Sequence, residues 1–165
     1  MPPHATSHDD TALLSALTSQ RDHVLGILDG LSPADLRRPV LPSGWTCLGL
    51  VKHLALDVER FWFRSILAGE PVDLASGADA WQVSADTPAE AVFGLYRQEI
   101  GFANAIITGT SLDAAPARWP EEWANWRLRD LREIMLHVIT ETACHAGHLD
   151  AARELIDGRT WLVLT

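Results

Sequence analysis

The sequence predicts an all-α protein built as a four-helix bundle with long connecting loops. Four segments carry apolar residues at helical spacing. No convincing period-2 pattern interrupts them. Two connections, residues 69–86 and 110–127, are much longer than the turns of an up-down-up-down bundle. Some neighbouring helices are therefore expected to run parallel.

In the first segment Leu13, Leu14, Leu17, Val24, Leu25 and Leu28 repeat at helical spacing. Ser7 with Asp10 offers an N-cap pair, and Gly30 a C-terminal stop. Residues 1–6 are expected to be disordered. Ser32-Pro33-Ala34-Asp35 opens a short helical turn with Pro at its first position. RRPVLPSGW then reads as loop. A second helix is expected from Thr46 or a neighbour to about Ala68, with Leu50, Leu54, Phe61 and Leu67 apolar. Thr87-Pro88-Ala89-Glu90 combines a cap, Pro at N1 and Glu at N3. The third helix follows through Val92, Leu95, Ile100, Ala103 and Ile107, and ends near Gly109. The fourth runs over residues 131–157 and stops at Gly158. The tail RTWLVLT is a short strand or an extended packing segment.

A chain of 165 residues suits one domain, 1–165, with a sizeable core. Net charge is −9 and there is no Lys/Arg-rich run, so nucleic acid and anionic membrane are poor partners. No apolar run approaches the roughly 20 residues needed to span a bilayer. The N-terminus lacks the regions of a signal peptide, so a cytoplasmic location is expected. Cys47 and Cys144 are then free thiols.

The fourth helix carries the chemistry. His137, Glu141, Cys144, His145 and His148 fall within an arc of roughly 100° on a helical wheel, together with Ile134, Ala151, Ala152 and Leu155. The stripe reads as a core face turned ionisable for two turns, and buried imidazole or carboxylate is costly unless paired or metal-bound. Glu141 with His145, Cys144 with His148, and His145 with His148 each have helical spacing that suits a shared metal. Two ligands are too few, and His53, in an otherwise apolar stretch of the second helix, is the natural third. Three protein ligands with an open position characterise catalytic zinc.

Blander roles fit the other residues. His137 is expected to pack or support the site, and His4, His8 and His23 to be solvated. Asp57 either orients His53 or is exposed, with exposure favoured. Cys47 is a small buried or loop residue. Cys144 is read as a small apolar filler rather than a soft ligand. Trp119, Trp123 and Trp126 pack in core and loop or wall a pocket mouth. No phosphate loop, nucleophile elbow, paired CxxC or nucleotide fingerprint is present.

Two motifs carry a family resemblance. Pro42 to Leu54, PSGWTCLGLVKHL, followed by Val58-Glu59-Arg60-Phe61-Trp62-Phe63, resembles the second-helix signature of the DinB-like superfamily. Leu136-His137 and Glu141 through Asp150, then Arg153-Glu154 and Asp157-Gly158, resemble the fourth-helix signature of its small, uncharacterised actinobacterial-type branch. The resemblance implies up-down-down-up connectivity. It also implies a divalent metal, zinc or nickel, held by one histidine of the second helix and two residues four apart on the fourth. Those positions are His53, Glu141 and His145. The His, Glu, His set resembles that of the mycothiol-dependent maleylpyruvate isomerases. His148 stands where many members have Gln, and Cys144 where this branch more often has Arg.

The expected function is a metal-dependent thiol S-transferase. A low-molecular-weight thiol of the mycothiol or bacillithiol class serves as co-substrate, and His148 acts as a catalytic residue that orients the thiol or relays its proton. The alternatives are a non-catalytic metal-binding stress or small-ligand-binding protein, with His148 or Cys144 closing the shell, and a metal-dependent hydrolase. A metal-free helical interaction module is a further reading. The expected partner is a small-molecule substrate, with a homodimer as an option.

Overall fold

A computed structural model of the chain describes residues 8–123 and 125–161. The Ser7 cap, His4, the expected disorder of residues 1–6 and the end of the tail, 162–165, lie outside the described residues. Four long helices form: α1 (His8–Leu28), α2, α3 (Ala89–Gly109) and α4 (Leu131–Asp157). α2 begins as α-helix over Cys47–His53 and continues as π-helix over Leu54–Leu67. Short 3₁₀ turns punctuate the connections at Asp35–Arg37, Gly77–Ala80 and Glu121–Trp123. No strand occurs among the described residues, and residues 159–161 of the tail are irregular.

Helix directions follow from which residues meet. Between α1 and α4, Asp9 pairs with Arg132, His23 with Asp150, and the Ile27 carbonyl accepts from Arg153. Both numbers rise together, so the two helices are parallel. α2 and α3 are parallel by the same test: Arg60 binds Glu99, and the Arg64 guanidinium lies over Phe102. α2 and α4 run antiparallel, with His53 against His145 and Trp62 against His137. α1 and α3 also oppose, since Leu14 and Ile107 line one groove while Leu25 and Phe93 line another. The order is up-down-down-up. Parallel α2 and α3 require a connection that travels back along the bundle, which is why residues 68–88 are so long.

Local chemistry sets the ends. Thr46 caps α2 by accepting the Gly49 N–H at 3.0 Å, and Asp130 caps α4 by accepting the Glu133 N–H at 2.9 Å. Gly30 and Gly158 take positive φ of 78° and 79° just past α1 and α4, as a left-handed stop requires. The cap expected at Thr87 does not form. Pro88 precedes the first turn of α3, no side chain caps that turn, and the Thr87 carbonyl instead accepts from Arg37.

α2 is the most enclosed helix. Leu54, Ala55, Leu56, Val58 and Glu59 are buried in near succession, which an amphipathic surface helix would not allow. Its last turn closes with the Ala68 N–H on the Phe63 carbonyl. The loop before α4 then covers its C-terminus, with Ala117 and Arg118 N–H groups on the Leu67 and Ile66 carbonyls.

The bundle interior also holds charge that the apolar periodicity did not flag. Arg21 makes two 2.7 Å bonds to Glu59, both side chains being almost fully buried, and a third to Asn104 at 2.8 Å. This fork ties α1 to α2. Glu99, equally buried, receives Arg60 and Arg64. Burial pushes the Glu59 carboxyl upward, and Arg21 opposes that shift.

Candidate metal centre

The antiparallel contact of α2 with α4 builds the site. His53 is the last residue of the α-helical part of α2, where the backbone passes into π-helix, a feature frequent at functional sites. Opposite it, Glu141 and His145 lie one turn apart on α4. The three residues offer ligand atoms that all lie within 4.8 Å of one another, and each side chain is part-buried.

The donor set fits a divalent cation. Two ligands about 2.0 Å from zinc at a tetrahedral angle are separated by roughly 3.3 Å. His145 Nε2 and Glu141 Oε2 are 3.7 Å apart, too far for a hydrogen bond and close to that span. His145 Nδ1 is buried without a hydrogen-bond partner, an unsatisfied group in the site itself. Burial and the neighbouring His53 lower the His145 pKa to about 4, while Glu141 opposes the shift. His145 is therefore neutral at pH 7, the form that ligates metal.

His53 is held from two sides. Its Nδ1 lies 2.8 Å from Asp57 Oδ2. An ionised carboxylate only accepts, so Nδ1 carries the proton and Nε2 keeps its lone pair for a ligand. Asp57 thus orients His53, against the expectation that it is simply exposed. The ring of Trp81 stacks on His53 at 4.1 Å and 18°, and also approaches His145 at 5.9 Å. Trp81 comes from the long α2–α3 connection, whose lack of periodicity gave no signal for it.

The other candidates separate by position on α4. The buried face centres near Leu131, Val138 and Leu149. Four residues at 100° each put His145 about 40° from Leu149, whereas five put Cys144 about 140° away. The ionisable stripe is thus a flank of the helix turned toward α2, not the core face, and Leu155 on the same arc is 59% exposed. Cys144 is exposed, which corrects its reading as a filler, and it is not in the ligand group. His148 is also exposed and outside that group, with its ring 5.6 Å from His145 and 6.2 Å from Trp45.

His137 packs between Trp62 at 4.7 Å and Trp126 at 5.5 Å, and burial lowers its pKa. Trp119, Trp123 and Trp126 cluster with Trp62 over this end of the flank. His23 is not solvated: it is largely buried, bonds Asp150 at 2.8 Å and stacks on Trp161. His8 is exposed, as expected, and Cys47 is buried.

No helix among the described residues is long and apolar enough to cross a membrane. Comparison with known proteins adds one match. A family model described as mycothiol-S-transferase matches residues 12–158, from α1 to the glycine that stops α4. No curated protein and no solved structure gives a match. With nearly the whole chain matched over the helices that carry His53, Glu141 and His145, the chain belongs to the mycothiol-S-transferase family, within the DinB-like superfamily.

Proposed function

We propose that this chain joins mycothiol, or a thiol of the same class such as bacillithiol, through its sulfur to an electrophile, the thiol proton being released, at a divalent metal held by His53, Glu141 and His145. Zinc is the metal we favour, with nickel accepted by the same donors. The observation that carries the reading is the convergence of two imidazoles and a carboxylate from antiparallel helices within 4.8 Å. Three such ligands, rather than four, leave a position for a substrate.

Held by His53, Glu141 and His145, a divalent cation would supply the positive charge that favours the thiolate form of a thiol ordinarily near pKa 8.5. The chain's own residues do the rest. Asp57 fixes the His53 tautomer and ring plane. Trp81 covers the face of His53 and limits water on that side. His148 stands at the rim, exposed and next to His145, where it can take up the thiol proton and pass it to solvent.

The test uses untagged protein, assayed for bound metal and for consumption of mycothiol with a panel of electrophiles. His53→Ala and His145→Ala are expected to lose both metal and thiol consumption while keeping wild-type helical content. Full metal content in either variant, or unchanged consumption without metal, refutes the proposed centre.

A further inference from the structure

Gly49, Lys52 and His53 stand at i, i+3 and i+4 in the α-helical part of α2 and so share one face of it. All three meet the same short stretch of the α2–α3 connection. At Gly49 a Cβ would collide with the Trp81 carbonyl oxygen, so only glycine lets that peptide lie on the helix. Lys52 Nζ donates to the Asp79 and Gln82 carbonyls, each at 2.7 Å, and these two residues bracket Trp81. His53 receives the Trp81 ring, stacked at 4.1 Å and 18°.

The stretch has little of its own to fix it. Gly77–Ala80 make one 3₁₀ turn, in which only Ala80 is buried, and the Trp81 N–H closes it on the Ala78 carbonyl. The two charge-assisted bonds from Lys52 and the notch at Gly49 therefore place the Trp81 peptide. Further along, Arg37 donates to the Ser84 and Thr87 carbonyls, so the far end of the connection has a separate anchor.

What this does for His53 follows from its torsions. The outer torsion of a histidine is broad, and one hydrogen bond at Nδ1 restrains it softly. A flat indole against the ring face narrows it. Trp81 also approaches His145 at 5.9 Å and 66°, edge to face, so one side chain abuts both imidazoles of the proposed centre.

We infer that Gly49 and Lys52 are positioning residues for the metal centre: they hold Trp81 flat on His53, and the stack keeps His53 Nε2 in reach of Glu141 and His145. This role rests on the metal-centre reading and adds the route by which the α2–α3 connection supports it. The sign of the Lys52 effect distinguishes it from plain electrostatics. An ammonium beside a cation site repels the cation, so charge alone predicts tighter metal binding once Lys52 is removed. Positioning predicts weaker binding.

Two measurements on the untagged full chain test this. In metal-free protein carrying ¹³C-histidine, the ring current of Trp81 should shift the His53 Cε1–H resonance upfield; the resonance is assigned by its loss in His53→Ala. Lys52→Met and Trp81→Leu should reverse that shift by similar amounts, and Lys52→Arg should keep most of it. The second measurement is zinc affinity, by competition with a chromophoric chelator. Lys52→Met and Trp81→Leu should each weaken zinc binding about tenfold, the low end for a group that orients a ligand. The double variant should be no weaker than either single, because Lys52 acts through Trp81. Gly49 is buried and Lys52 only partly so; Lys52→Met thus leaves the core intact and carries the test, with Gly49→Ala expected to match it. An unmoved His53 resonance in Lys52→Met, zinc binding in that variant as tight as wild type or tighter, or additive losses in the double variant each overturns the assignment. Zinc binding that survives His53→Ala refutes the centre itself, and this role with it, whereas a normal centre indifferent to Lys52 refutes the role alone.

Discussion

Asp57 Oδ2 accepts a hydrogen bond from His53 Nδ1 at 2.8 Å from one turn further along α2. The pair spans the change from α-helix to π-helix, so the backbone geometry that begins at Leu54 sets the distance between the two side chains.

Removing that support is expected to weaken metal binding without unfolding the bundle. Asp57 is about a third exposed, so its loss leaves no large cavity. Asp57→Ala should lower metal affinity by roughly 10- to 100-fold, and Asp57→Asn, which can still accept a hydrogen bond, should recover part of it. Competition with a chromophoric chelator measures both. Wild-type affinity in Asp57→Ala would mean that the 2.8 Å contact does not orient the imidazole.

Position 144 and position 141 should respond in opposite ways. Cys144 is exposed and outside the ligand group, so Cys144→Ser should keep full metal content. Glu141→Ala should lose most of the metal, and Glu141→His should retain it, since zinc accepts either donor. Elemental analysis of the three purified variants decides the matter; metal loss in Cys144→Ser would bring the thiol back into the shell.

The two thiols should also differ in reactivity. Burial pushes the Cys47 thiol up to about 11, so at pH 8 it stays protonated as well as inaccessible. Cys144 is open to solvent. Iodoacetamide at pH 8 should therefore alkylate Cys144 first, with Cys47 labelled only after denaturation. Peptide mass spectrometry reads the order, and prompt labelling of Cys47 would contradict its placement in the core.

The Arg21–Glu59 fork makes a stability prediction. Arg21→Ala strands the buried Glu59 carboxylate and should cost about 3–5 kcal/mol in urea unfolding. Replacing both partners, as Arg21→Met with Glu59→Leu, should restore most of that, because neither charge is then left buried alone. If the double variant is as unstable as the single, the loss comes from packing or from the Asn104 bond rather than from the stranded charge.

Local patterns in the sequence determined much of this protein. Four helices, their stops at Gly30 and Gly158 and the Thr46 cap follow from spacing and end chemistry, which act over a few residues. The i,i+4 relation of Glu141 and His145 is likewise a property of one helix, and the quoted motifs of α2 and α4 pointed to His53 as the third member. What only the tertiary structure decided is which side of each helix faces which neighbour. That choice turned the ionisable stripe of α4 toward α2 rather than into the core, exposed Cys144 and Leu155, and buried His23 against Asp150. It also brought Trp81 from an unpatterned connection onto His53, and joined Arg21 to Glu59 across 38 positions of chain. These contacts depend on the bundle closing as a whole. Periodicity records that a side chain lies on a helix flank, but the partner across that flank is set by how all four helices pack.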